Sequence, residues 1–323
     1  LNPVFAPTGI LSPASLCEAG RASSPLQAAG LSNGVKERSM LRQKRIEEAV
    51  KNCLVKAGTT FRKDQWDAYR KAIRKEKKKN AKWVLERILE NARIAKKRAF
   101  PLCDDTGIPH VFVEIGKELA LPKNWLSAIS NGVTKGLRIM PGRPMAVKGN
   151  PVERIEQSKG LFNDPGKLTP APFIIESTPG NKLKITVLLL GGGPEIRAKT
   201  YRIFHRRSMD VVLKEVAGWA ALEMKNLGCT PSILAIGIGR SHMEASALML
   251  EAMKEGNLSR QNRLENKITE LINSTKIGPL GLGGSTTVLG TFIKIGSLRA
   301  SGVRIVSMRP CCCFEPRRAT VVL

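Results

Sequence analysis

From Leu41 onward apolar residues recur at helical spacing, with Ile46, Ala49, Val50 and Leu54 on one face, and this predicts a first helix. A second helix is expected from about Asp64 to Lys79. A third, from about Lys82 to Lys97, carries Val84, Ile88, Ala92 and Ala95 on one side and basic residues on the other. After Arg98 the texture changes: Val111 to Ile115, Leu183 to Leu190 and Ile233 to Ile238 read as strands. Between the last two, Met209 to Asn226 has an apolar face of Val212, Val216, Trp219 and Ala220, with Gly228 placed to stop the helix. Further helices are expected at Met243 to Lys254 and Asn257 to Asn273. Interleaved strands and helices predict a mixed α/β fold, with a helical N-terminal layer followed by an α/β body of interleaved strands and helices.

Residues 1–39 lack apolar periodicity and are rich in Pro, Ala, Ser and Gly, so they read as a disordered or non-native leader. Arg21 is the only arginine before Arg38, which makes a transit peptide the weaker reading. The expected organisation is therefore the leader at 1–39 and one domain at 40–323. Its basic helical part covers about 40–98 and its α/β part about 99–323.

Composition adds three constraints. Hydrophobic residues make up 42% of the 323 residues, enough for a sizeable core. No uninterrupted apolar stretch approaches the roughly 18 to 20 residues of a bilayer-spanning helix, so no membrane partner is expected. The net charge of +26 is concentrated between Lys36 and Arg98, where 22 basic residues face 8 acidic ones. Cationic helices account for non-specific attraction to polyanions but read no sequence, and two Tyr and no stacking motif argue against a specific nucleic-acid partner. Seven cysteines, three of them adjacent, make a poor disulfide framework, and a reducing, cytoplasmic compartment fits better.

Three cysteine-bearing segments sit where element ends are expected: Pro101 to Gly107, Leu227 to Pro231, and Arg309 to Arg318. Cysteines flanked by Gly, Pro and charged residues make good soft-metal ligands. Zinc fails on spacing, because no cysteine pair has the gap of a finger or ribbon and no His lies near the triplet. Iron–sulfur clusters tolerate scattered ligands. A cubane held by three protein thiolates keeps one iron open as a Lewis acid, which points to lyase chemistry.

Five ordered motifs carry a resemblance: Pro101 to Gly116, Gly191-Gly192-Gly193, Cys229-Thr230-Pro231 through Gly239, Ile277 to Gly284, and Cys313 to Arg318. In this order they resemble the alpha subunit, or N-terminal catalytic half, of class I iron–sulfur fumarases and L(+)-tartrate dehydratases. The resemblance implies a 4Fe-4S cluster held by Cys103, Cys229 and one residue of the triplet. Cys313 is chosen for its distance from Arg317-Arg318, with Cys312 as runner-up. It further implies that Asp105 contacts substrate or orients the base, that Arg143 grips a substrate carboxylate, and that Gly192 and Gly193 offer backbone N–H groups to an anion.

The resemblance also implies hydration of fumarate to malate. Tartrate dehydration and a non-catalytic iron–sulfur homologue are the alternatives. Several positions depart from the family pattern: Leu190 and Pro194 flank the glycine run in place of a lysine and a serine, and the segment Gly283 to Thr287 carries Ser285 in place of a lysine. A histidine of many members falls on Ser301. His242 is therefore the candidate for the missing catalytic imidazole, with His110 and His205 behind it. The family's second half has no counterpart here, so a separate beta subunit in an α2β2 assembly and a small dicarboxylate substrate are the expected partners.

Overall fold

The computed structural model describes residues 29–323, with side-chain surroundings from residue 43. The expected leader lies outside the described residues as far as residue 28. Its remainder, 29–39, is helical, because helix α1 spans Ala29–Thr59 and begins well before Leu41.

Two four-stranded mixed sheets organise the chain. The first contains β1 (Ile108–Gly116), β2 (Ile174–Thr178), β3 (Leu183–Leu190) and β8 (Arg317–Val322), in the order β2-β1-β3-β8. The second contains β4 (Lys199–Phe204), β5 (Ser232–Gly239), β6 (Val288–Ile295) and β7 (Val303–Cys311), in the order β4-β7-β5-β6. The helices after α1 are α2 (Lys63–Lys75), α3 (Lys79–Arg98), α4 (Trp125–Ile139), the short α5 (Pro151–Glu156) and α6 (Gly192–Glu195), α7 (Met209–Leu227), α8 (His242–Glu255) and α9 (Arg263–Asn273). The architecture is mixed α/β, as the interleaved pattern predicts. No helix among the described residues is long and apolar enough to cross a membrane.

Alternation along the strands decides what each face buries. Val111, Val113, Ile185, Val187 and Leu189 pack against α1 and α4. Gly132 lets those two helices touch, because a Cβ there would lie 2.6 Å from the Glu47 carbonyl oxygen. The opposite face presents Phe112, Leu188 and Leu190 to Met249, Ala252 and Met253 of α8, which in turn meet Ile233, Ala235, Phe292 and Cys311 of the second sheet. The alternate residues Leu234, Ile236 and Ile238 face α7 and α9. Helix α8 is thus clamped between the sheets. Gly237 of β5 permits this, since a Cβ there would fall 2.0 Å from the Ala245 carbonyl oxygen.

Helices α2 and α3 form a smaller cluster of their own around Phe61, Tyr69, Leu85 and Ile88, and Cys313 belongs to it. The expected N-terminal layer is therefore split. Helix α1 serves the first sheet, whereas α2 and α3 cover the cysteine end of the molecule.

Candidate active site

Four chain segments meet where the two sheets adjoin: residues 103–107 leading into β1, the glycine run after β3, residues 229–231 leading into β5, and residues 311–317 between β7 and β8. The Cys313 N–H donates to the Cys229 carbonyl (2.9 Å), and Arg317 Nη1 donates to the Asp105 carbonyl (2.6 Å). The Tyr69 hydroxyl donates to the Cys313 carbonyl (2.5 Å), and Tyr69 is itself fully buried. Thr230 Oγ1 donates to the Gly278 carbonyl (2.6 Å), so the glycine-rich segment after α9 buttresses Cys229 from behind.

Cys229 is exposed, Cys103 half-buried, and Cys312 and Cys313 are buried. All four thiols are free. Burial, and then the neighbouring Cys312, pushes the Cys103 thiol up to about 12. The same two influences raise Cys229. Cys313 is raised well above its ordinary value by its contact with Cys312 and by burial, with Cys229 and Cys103 adding to it. These thiols therefore lie close enough to influence one another. Among the described residues no group of three or more His, Cys, Asp or Glu surrounds a single-ion position. An all-thiol donor set drawn together from separate chain segments fits a multinuclear iron–sulfur cluster better than a lone hard or borderline cation. Cys311 stands apart, packed between the sheets against Met253.

Asp105 has both carboxylate oxygens committed. Oδ1 accepts from the Gly107 N–H (3.1 Å) and Oδ2 from the Gly192 N–H (2.7 Å). It ties the glycine run to the Cys103 loop rather than presenting a free base. The Gly191 N–H donates to Glu315 Oε1, so Gly193 is the member of the run whose N–H has no protein acceptor among the described residues. Arg143 is exposed at the mouth; its N–H donates to Thr106 Oγ1 (2.5 Å) and its guanidinium lies 3.7 Å from Asp104.

Sequence reasoning missed the charged lock behind the glycine run. Arg309 is fully buried and donates to Glu315 Oε2 (2.6 Å), Glu195 Oε2 (3.0 Å) and the Gly191 carbonyl (3.0 Å). Burial alone would raise the Glu315 carboxyl, but Arg309 and Arg317 outweigh it and hold Glu315 below its ordinary value. Five residues lie between Arg309 and Glu315, and the pair closes across the bend between β7 and β8, so no helical or strand spacing signals it.

The three histidines separate cleanly. His242 opens α8 beyond the end of β5, whereas Cys229 precedes its start. Eight strand residues, roughly 25 Å, lie between them, so the structure does not bring His242 to the cysteines. His205 bonds the Ser301 carbonyl (2.8 Å) at the same remote end. His110, on β1, is the nearest to the lock. Burial lowers its pKa, and Glu195, Arg309 and Glu315 all act on it electrostatically.

The fumarate hydratase (Fumerase) family matches residues 47–322. A Methanocaldococcus jannaschii protein provisionally assigned as an L(+)-tartrate dehydratase alpha subunit is 28% identical over 85% of this chain and 96% of its own length. The L(+)-tartrate dehydratase alpha subunit of Escherichia coli K12 is 24% identical over 86% of this chain and 91% of its own. A Geobacillus stearothermophilus protein provisionally assigned as a class I fumarate hydratase is 25% identical over 79% of this chain, which matches only 50% of that relative. With nearly all of its described α/β body inside the matched region, and the cysteine segments gathered at one end of it, this chain belongs to the fumarate hydratase family of hydro-lyases.

Proposed function

We propose that the chain is the alpha subunit of a 4Fe-4S-dependent hydro-lyase that interconverts fumarate and malate, acting with a separate beta subunit as an α2β2 assembly in the cytoplasm. The observation that carries this reading is the meeting of Cys103, Cys229 and the 312–313 pair at one end of the fold, beside the glycine run. Cys103, Cys229 and Cys313 would hold the cluster. When bound, it supplies a Lewis-acidic corner that makes hydroxide a tolerable leaving group.

The remaining tasks fall to this chain's side chains and backbone. Arg143, exposed and only loosely held by Asp104, exchanges that partner for one carboxylate of the diacid, to which its guanidinium offers paired donors. The Gly193 N–H, with its neighbours locked by Asp105 and Glu315, is aimed at a second anionic oxygen. Asp105 holds the loop in register. With His242 remote and Asp105 occupied, the proton-abstracting group is assigned to the beta subunit.

Tartrate dehydration is the second reading. It is favoured by relatives so named that match this chain over nine-tenths or more of their own length.

The test is anaerobic purification with the beta subunit, iron and sulfide analysis, and parallel assays of fumarate hydration and tartrate dehydration. Cys103→Ser, Cys229→Ser and Cys313→Ser should each lose iron, while Cys311→Ala keeps it. Full iron content in the three serine variants would overturn the ligand assignment. A cluster-loaded complex inert toward both diacids would leave a non-catalytic homologue.

A further inference from the structure

The end of the second sheet remote from the cysteines carries a second, unrelated concentration of chemistry. The chain leaves β4 through a tight turn, His205 to Ser208, closed by the Ser208 N–H to the His205 carbonyl (2.7 Å). Its two central residues, Arg206 and Arg207, have φ of +47° and +53°. This is the backbone of a turn that selects Asn-Gly, because side chains with a Cβ are strained there. Arginine is a poor choice for the fold at both positions.

The turn is nevertheless held rigidly. The Arg207 N–H donates to His205 Nδ1 (3.0 Å), and the opposite ring nitrogen of His205 meets the Ser301 carbonyl (2.8 Å). Both arginines are exposed and, among the described residues, neither has a carboxylate partner. The same is true of Arg202, which lies over the exposed Phe204 ring (5.8 Å), and of Arg299 on the neighbouring loop. Arg206 and Arg207 line a cavity of about 660 Å³ with Phe204, His205 and Ser301. Glu215 is the carboxylate on its wall. Ser301 also opens onto a smaller cavity of about 190 Å³ lined by Arg240, Arg299 and Arg304. There Arg240 is already satisfied by Glu244, and Arg304 by backbone carbonyls.

Strained arginines, unneutralised guanidinium groups and a concave space of small-molecule size all mark one place. We infer that this end of the protein is a binding site for a small molecule with closely spaced negative charges, of phosphate or dicarboxylate type, gripped by Arg206 and Arg207. Guanidinium forks match such groups with paired donors. The site lies a full strand length from the cysteines and is separate from the proposed active site.

The test uses the full-length chain in calorimetric titrations with inorganic pyrophosphate and, separately, malonate, at low and physiological salt. The informative variant combines Arg206→Asn with Arg207→Gly, which suits the turn while removing both guanidinium groups. The expected result is saturable one-to-one binding to the unaltered chain. The double variant should bind about a hundredfold more weakly or worse while melting a few degrees higher. Arg154→Gln, which removes an exposed charge elsewhere, should bind normally. Tighter pyrophosphate binding assigns a phosphate-bearing ligand, and tighter malonate binding a dicarboxylate. Absence of saturable binding, equal binding by the double variant, or equal loss in Arg154→Gln would overturn the site. A lower melting temperature in the double variant would overturn the claim that these arginines are kept at the expense of the fold.

Discussion

Replacing Arg309 with Met, which preserves much of the side chain's length and volume, strips the charge from the lock behind the glycine run. The guanidinium donates to Glu315, Glu195 and the Gly191 carbonyl. Glu195 is half-exposed and recovers its loss from water, but the Glu315 side chain has 0% exposure and cannot. Its remaining cation, Arg317, lies 3.6 Å away, so the carboxylate is left partly compensated. Breaking a buried pair from one side costs about 3 to 5 kcal/mol, and the surviving Arg317 places this case near the lower end, about 3 kcal/mol. For a chain of 323 residues that is a fall in Tm of about 4 to 5 °C. Converting Glu315 to Gln in the same chain removes the stranded charge while keeping an oxygen for the Gly191 N–H. The double variant should therefore recover more than half of the loss. Thermal melts followed by far-ultraviolet circular dichroism, with urea titrations for ΔG, give all four corners of the cycle. A loss below about 1 kcal/mol in Arg309→Met, or simple additivity in the double variant, would show that the pair does not support the fold as argued.

Three further outcomes are expected. Gly107→Ala places a Cβ 2.6 Å from Arg317 and 2.9 Å from the Leu190 backbone at a φ of +81°, so it should lower Tm clearly and reduce iron content; an unchanged melt would contradict the close approach. Arg318→Met removes donors from the Met253 (2.7 Å), Lys254 and Gly256 (3.0 Å) carbonyls at the end of α8. It should cost about 3 kcal/mol by chemical unfolding, and a change under about 1 kcal/mol would remove its capping role. Asp64, although burial favours its neutral form, is held below its ordinary value by Arg62. A depressed carboxyl stabilises the fold at pH above its unfolded value, near about 4, and this contribution is lost as pH falls through the folded value. The Tm gap between the unaltered chain and Asp64→Asn should therefore be constant near neutrality and shrink in acid, whereas a gap that widens in acid reverses the sign.

The strand at Leu183 to Leu190 was legible because both of its faces are buried, leaving a continuous apolar run. Helix α7 was legible from its one-sided apolar spacing and its glycine stop. Strands β4 and β7 carry arginines within their runs, and only their partners in the second sheet reveal them as strands. Arg309, Pro310 and Cys311, legible only as part of a cysteine-bearing segment at an element end, form the end of β7 for that reason. Helix α9 starts at Arg263, later than the apolar spacing indicated, because Asn262 and Glu265 form a reciprocal cap whose spacing is visible in the sequence. The cysteine segments could be picked out by composition. Their meeting place could not, since it is fixed by contacts such as Arg317 to Asp105 between residues far apart in the chain. His242 illustrates the converse: it follows β5 in the chain while Cys229 precedes it, and an extended strand holds its two ends far apart, so nearness in sequence to the strand was not nearness to the cysteine.

Strands β7 and β8 hold the last described positions in the chain, yet β7 is an inner member of one sheet and β8 completes the other beside β3. A ribosome delivers residues in order, so most of the molecule emerges before either sheet can close, and Cys313, the third of the proposed sulfur donors, arrives with the strands that close them. Insertion of the proposed cluster would accordingly wait until translation has passed this point. Until then the nascent chain leaves open the apolar surfaces that β7 and β8 later cover, which makes this interval the natural moment for chaperones to engage.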